Sequence, residues 1–438
     1  TEIFPKLKSK TFSFAKLRGS IARVGNDAGF DRLINSYSYG GLFRNDMAWF
    51  QGDAVRKNPN LKPETTISKE IGAEVRLLDG RLTADVTYYD KYTRDQIVES
   101  ELSYLSNYQR VIINSGKISN KGWEISVSGV PVKVKNFEWK TIFNWSKNNS
   151  MVESLPEGID KIQIGSGVYN VKSYAEVGKP YGAIYAKTFK RDAEGYILCQ
   201  LDGSPKEGQD YEYLGCVQAD WRGGWNNVFR LGNFSFSVMF DFQKGGKFFS
   251  QTSIQSSVDG QSVKSLEGRD ADFFSRKILG ESDEERYGFM RPQNANTPTA
   301  NGQIYPDWGR PKGVVLPNCR YDEDVEGLAG QQVLGYCTPE RYWMHYTSRD
   351  ISRFIYDASY VKLREITVSY DLPKKWLRKT PFQTFRVAAV GRNIATLFAN
   401  TPHGLDPQAT STTGNAQGFE RGFNLPSATY GFDIKVSF

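Results

Sequence analysis

The side chains able to do chemistry in this chain are few, and their spacing is informative. The two histidines, His345 and His403, are too few and too far apart for a multi-histidine metal site and read as solvated loop residues. The four cysteines form two local sets. Cys199 and Cys216 lie 17 residues apart and Cys319 and Cys337 lie 18 apart, with about 100 residues between the sets. None has the C-x-x-C spacing of zinc or thioredoxin sites. Local pairing within polar, Gly-rich segments predicts two disulfides, Cys199–Cys216 and Cys319–Cys337, each closing a surface loop in an oxidising compartment, with four free thiols in loops as the alternative. The chain-entropy model gives each about 3 kcal/mol.

The acidic run DEDVEG (322–327) carries oxygen donors suited to Ca²⁺ but lacks EF-hand spacing, so a solvated turn is the plainer reading. No metal or cofactor is expected. Trp308 in YPDWGRP and Tyr342 and Trp343 in RYWMHY are the aromatic platforms best suited to stacking a sugar ring or packing a peptide. Loop cores or partner contacts are the plainer use of such rings. There is no G-x-S-x-G, no H-E-x-x-H, no Walker loop and no cysteine with a nearby histidine pattern, so no residue is assigned a catalytic role. Paired carboxylates arise by chance among 49 acids, and a glycosidase needs them fixed across a cleft.

Bulk composition narrows the elements that could position these groups. The 438 residues are only 39% hydrophobic, yet 14% are aromatic, with 24 Tyr, 27 Phe and 9 Trp. That excess suits β-structure and surfaces between oil and water better than the aliphatic core of a soluble α/β enzyme. The net charge of +7 is spread along the chain with no basic stripe, which argues against nucleic acid. No apolar run approaches 18 residues, which leaves out a membrane helix but not a membrane barrel. The opening TEIFPKLKSK has neither the apolar run nor the cleavage site of a signal peptide, so Thr1 reads as an internal position of a longer protein.

Period-two alternation is the dominant pattern. The last ten residues, TYGFDIKVSF, place Tyr430, Phe432, Ile434, Val436 and Phe438 on one side. FSFSVMFDF (234–242) does the same with Phe234, Phe236, Val238, Phe240 and Phe242. Ten such segments emerge: 11–24, 67–78, 81–93, 122–129, 137–145, 225–231, 234–242, 358–372, 385–393 and 429–438. Connections alternate short (79–80, 131–136, 232–233, 373–384) with long (25–64, 98–118, 150–223, 246–352, 400–426). Soluble sandwiches have no reason to sort their loops this way, whereas an outer-membrane barrel has short periplasmic turns and long outer loops. Asp85, Asp241, Asp433 and Lys435 all fall on the polar parity. Val361 and Leu363 are out of phase with Ile366, Val368 and Tyr370, a slip that a β-bulge near Arg364-Glu365 repairs.

Several phrases then resemble one family in order. NPNLKPETTISKEIGAEV (58–75) is similar to the strand entry of TonB-dependent outer-membrane transporters. INSGKISNKGWEISVSG (113–129), DASYVKLREITVSYDLP (357–373), VGRNIATLF (390–398) and GLDPQ (404–408) resemble its SusC/RagA branch. The resemblance implies an all-β fold: about ten strands from the C-terminal half of a plugged barrel of about 22, spanning 1–438. It implies that the plug, the N-terminal strands and the TonB-contact segment lie outside this chain. A SusD-like surface lipoprotein is the implied partner, with the barrel-assembly machinery reading the strand that ends at Phe438. The implied place is the outer membrane of a Bacteroidetes-like bacterium, and the implied work is TonB-powered import of nutrient oligomers, oligosaccharides ahead of peptides. A passive porin and a secreted all-β adhesin are the alternatives.

Overall fold

A computed structural model of the chain describes every residue except 1–8, 45, 103, 115, 202, 267–313, 338–341, 403, 410–413, 415–416 and 423–426. All ten alternating segments are strands of one antiparallel sheet: β1 Phe12–Asn26, β2 Glu64–Leu77, β3 Leu82–Arg94, β4 Lys117–Val134, β5 Phe137–Ser154, β6 Trp221–Leu231, β7 Phe234–Lys244, β8 Tyr360–Asp371, β9 Thr384–Ala399 and β10 Thr429–Ser437. Each strand lies beside its sequence neighbours, with β1 and β10 at the edges. Turn chemistry fixes the short connections. Asp79 and Gly80 take left-handed backbone between β2 and β3, and Gly232 does so between β6 and β7, where Leu231 pairs directly with Phe234.

Strands β4 and β5 run well beyond the alternating stretches 122–129 and 137–145. The added part of β5, through Asn148, Asn149 and Ser150, is polar on both faces. Hydrogen bonding sustains the ladder there, while the alternation set by lipid stops because the loop layer packs on one face: Ser150 and Val152 are buried, Val152 in a cluster with Ile118 and Ala175.

Register carries one apolar face across all ten strands. Leu17 lies opposite Ala73, Val86 opposite Ile125, Phe143 opposite Trp225, Phe236 opposite Val368, and Val387 opposite Ile434. These side chains are exposed to a degree no water-soluble core allows: Phe432 is 86% exposed, Ile434 63% and Ile71 63%. At β8 the slip is resolved as the sequence requires. Val238 pairs with Ile366 and Phe240 with Leu363, leaving Arg364 as the extra residue. Strand β9 carries its own irregularity opposite, where Leu363 pairs with Ala395 and Glu365 with Arg392, and Asn393 is left-handed.

The buried core lies in the long connections. One cluster joins Phe189, Cys199, Leu316, Cys319, Tyr321, Tyr342, Trp343 and Tyr346. Another joins Val171, Ile184, Phe249, Ile254, Phe354 and Phe419. Two small sheets stitch different connections together: Ile197–Cys199 pairs in parallel with Val314–Tyr321, and Lys247–Ser250 pairs with both Ile355–Asp357 and Phe419–Glu420. The connections at this end form a packed layer with its own interior.

Candidate functional site

The polar face of the sheet is a wall of paired charges. On β1 to β3, the Arg18 guanidinium donates to Asp85 and Thr87, and Lys91 pairs with Glu70 at 3.1 Å. Tyr89 donates to Asn148, whose amide donates to Asn120. Farther along, Arg386 holds Asp371 and Arg392 holds Glu365. A recess of about 460 Å³ opens in this wall, lined by Arg18, Asp85, Glu124, Ser146, Arg222 and Asp241 among others. Ser146 lies directly between Glu124 and Arg222 on adjacent strands. Such a surface offers alternating donors, acceptors and charges to a hydrated solute. Among the described residues no cluster of three or more His, Cys, Asp or Glu can hold a metal ion.

At the looped end, the bulge sets a clamp. Arg364, the extra residue, pairs with Asp241 and donates to Asn393 and to Gln408, the latter at 2.6 Å. Lys362 donates to Asp406 at 2.6 Å and to Gln408 at 2.9 Å, and both side chains of the Lys362–Asp406 pair are almost fully buried. GLDPQ (404–408) is thus folded back onto the polar wall and held there. The sequence carries two signals of this clamp, the phase slip at Arg364-Glu365 and the GLDPQ phrase, but nothing in it links them.

Three expectations need correction. Tyr342 is fully buried and Trp343 is 4% exposed, edge-to-face at 5.1 Å inside the loop core, so neither can stack on a ligand. Trp308 and His403 lie outside the described residues, and His345 is exposed as expected. The Cys199–Cys216 disulfide is absent, because the two residues sit in different small sheets, Cys199 beside Val314–Tyr321 and Cys216 opposite Ala183. The Cys319–Cys337 bridge fails on register: Cys319 lies opposite Val333 and Cys337 opposite Val314. Four or five ladder steps put the backbones roughly 13–16 Å apart, against about 7 Å for a disulfide.

The DEDVEG run is a turn tied to a neighbouring hairpin. Asp322 accepts from Lys206 at 2.8 Å and from Lys190 at 2.9 Å. Burial pushes its carboxyl up, but the hydrogen bonds from Lys206 and Lys190 outweigh this and hold it at about 2. A carboxylate neutralised by two ammonium groups is the opposite of a Ca²⁺ loop.

The profile described as TonB dependent receptor-like, beta-barrel matches residues 10–394. The chain belongs to the TonB-dependent receptor β-barrel family. TonB-dependent receptor P3 of Formosa agariphila is 25% identical over 395 residues, covering 85% of this chain and 33% of that protein. TonB-dependent receptor SusC of Bacteroides thetaiotaomicron is 29% identical over 104 residues, 24% of this chain and 10% of that protein. The structure of the RagAB peptide transporter covers all of this chain with 42% of its own, at a TM-score of 0.65 and 17% identity, a likeness of fold. This chain therefore spans about a third to two fifths of the length of the relatives it matches. In a TonB-dependent receptor barrel the apolar face meets lipid and the paired charges face the lumen.

Proposed function

We propose that this chain is the C-terminal half of a barrel that imports nutrient oligomers across the outer membrane of a Gram-negative bacterium, energised through TonB. The remaining strands and the plug come from the rest of the polypeptide, because β1 and β10 are open edges whose unpaired backbone groups would cost several kcal/mol each in lipid. A SusD-like surface lipoprotein sits over the looped end, where the long connections are woven into one layer. Oligosaccharides are the favoured cargo and peptides the second class. No catalytic role is assigned. The observation that carries the reading is the inverted burial: Phe432 and Ile434 stand exposed on the sheet while Phe249, Phe354 and Phe419 are buried in the loops.

The test is uptake of labelled oligosaccharides and peptides by cells carrying or lacking the full-length gene, with and without a protonophore, beside affinity purification from outer membranes. The reading expects energy-dependent uptake and a co-purifying lipoprotein in comparable amount. Uptake that ignores the protonophore, with no lipoprotein recovered, contradicts it and indicates a passive pore.

A further inference from the structure

Above the apolar band, the outward face of β1 to β5 changes character. Register places Lys69 opposite Asp90 and Asp90 opposite Lys121, in one row across β2, β3 and β4. Lys147 on β5 lies opposite Trp123, one row nearer the short turns, and Arg23 on β1 lies opposite Ile67, one row nearer the loops. Arg94 lies opposite Lys117, and the two flank the Tyr92 ring at 5.1 and 4.9 Å. Six cations therefore face outward within a few rows, against two carboxylates. Asp90 is matched by Lys121 at 3.5 Å and Glu153 by Lys117. Arg23, Lys69 and Lys147 are exposed and have no acidic partner among the described residues.

Height and surroundings fix where this patch sits. Lys69 is eight residues above Leu77, which borders the short turn. At about 3.3 Å per residue and a tilt near 40°, that is roughly 20 Å along the membrane normal, close to the upper border of an apolar band about 25 Å tall. Tyr88 and Trp123 pack at 4.9 Å one row below, as aromatic rings do at a membrane interface. On β6 to β10 the same face carries one cation, Lys244, opposite Trp221. A uniform belt would serve any lipid. A patch confined to half the sheet is a site.

We propose that this patch binds the phosphate-bearing headgroup of an outer-leaflet glycolipid, with Lys69, Lys121 and Lys147 donating to phosphate oxygens and Trp123 and Tyr88 lying against the sugar–acyl boundary. Charge complementarity selects the occupant: lysines at the rim of an apolar band meet phosphates that an outer leaflet presents at that height. The inference rests on the outer-membrane placement proposed above.

The test uses the full-length protein in neutral detergent micelles doped with bisphosphorylated lipid A, with retained lipid counted by native mass spectrometry. The wild type is expected to retain lipid A about tenfold or more better than its dephosphorylated form. A triple variant, Lys69→Gln, Lys121→Gln and Lys147→Gln, is expected to lose that preference, while Lys244→Gln keeps it. Equal retention of the two lipids by the wild type overturns the proposal, whether or not the triple variant folds. So does displacement by an equal concentration of inorganic phosphate, which would indicate a free-anion site. A protein that inserts and imports but shows no such preference refutes this inference alone; a protein absent from outer membranes refutes the placement.

Discussion

Arg18 reaches Asp85 by lying across Gly72. The donor is on β1, the acceptor on β3, and the guanidinium spans the strand between them to donate at 2.6 Å. A Cβ at residue 72 would stand 2.6 Å from Arg18 Nε, so the absent side chain is what lets the arginine lie flat. Tyr89 on β3 crosses Gly122 on β4 in the same manner to reach Asn148 on β5. Both glycines lie on the polar face, and each lets a long polar side chain skip a strand.

Gly72→Val is therefore expected to displace Arg18 and cost about 1–3 kcal/mol. Combined with Arg18→Ala, its added cost should largely vanish, because the clash has no partner. Unfolding midpoints of the full-length protein and the three variants check this. Strict additivity would mean that the arginine does not occupy the gap.

The apolar face of the sheet holds a buried polar pair. Trp139 Nε1 donates to Asn227 Oδ1 at 3.0 Å, and both lie on the outward parity among apolar neighbours. Asn227→Ala leaves an indole N–H unpaired in a medium without water, at an expected cost of about 1–3 kcal/mol. Adding Trp139→Phe removes the orphan donor and should recover part of that loss. Thermal unfolding in detergent reads both values; no recovery in the double variant would mean that the indole has another acceptor.

Charge placement separates the two faces. Phe236→Arg and Ile434→Arg put a cation on the lipid face, where the cost rises towards roughly 2–4 kcal/mol at mid-depth, whereas Ser235→Arg and Asp433→Arg put it on the polar face. The first two are expected to lower the amount of heat-modifiable protein in outer membranes several-fold and the last two to leave it near wild type. Equal losses would reverse or erase the assignment.

Much of this was legible in the sequence, and the failures share one cause. Strand alternation depends on two adjacent media, so it marks the ten strands and even the bulge at Arg364, but falls silent where β4 and β5 rise past the apolar band and pack one face against the loop layer through Ile118 and Val152. The loops have no such external reference. For Tyr342 and Trp343 the sequence leaves both a ligand platform and the plainer loop core open, because polar, Gly-rich neighbours surround them; the loop core is what forms, and their burial comes from Leu316, Tyr321 and Phe189, far away along the chain. The cysteine spacing misled for the same reason, since Cys199 is brought beside the Val314–Tyr321 strand by a parallel pairing that spacing does not encode. Lys362 and Asp406, 44 residues apart, are a similar case.

That pair yields a sharp prediction. Removing Asp406 leaves Lys362 buried without its counter-charge, a change that costs about 3–5 kcal/mol when one member of a buried pair is lost. Asp406→Asn is expected to release 404–408 from the wall, seen as faster amide exchange there with β6 and β7 unchanged. Unaltered exchange would show that Gln408 and Arg364 suffice to hold it.

Acid should loosen the loop layer in a defined window. Asp322 is held at about 2 against an ordinary 3.8, so its ionic contacts contribute fully above about pH 4 and are lost as pH falls towards 2. The shift corresponds to about 2 kcal/mol. Limited proteolysis between pH 5 and pH 2 should show the 187–207 and 314–337 segments opening in the wild type, whereas Asp322→Asn should be open at pH 5 and change little. Identical profiles would remove Asp322 as the tie.

The two-faced sheet itself is tested most directly by spin labels placed one at a time from Thr429 to Ser437, in a cysteine-free full-length background. Collision rates with oxygen and with a water-soluble nickel chelate are then compared. Labels at Tyr430, Phe432, Ile434 and Val436 should favour oxygen, and those at Thr429, Gly431, Asp433 and Lys435 should favour the chelate. A profile without that alternation would contradict the barrel.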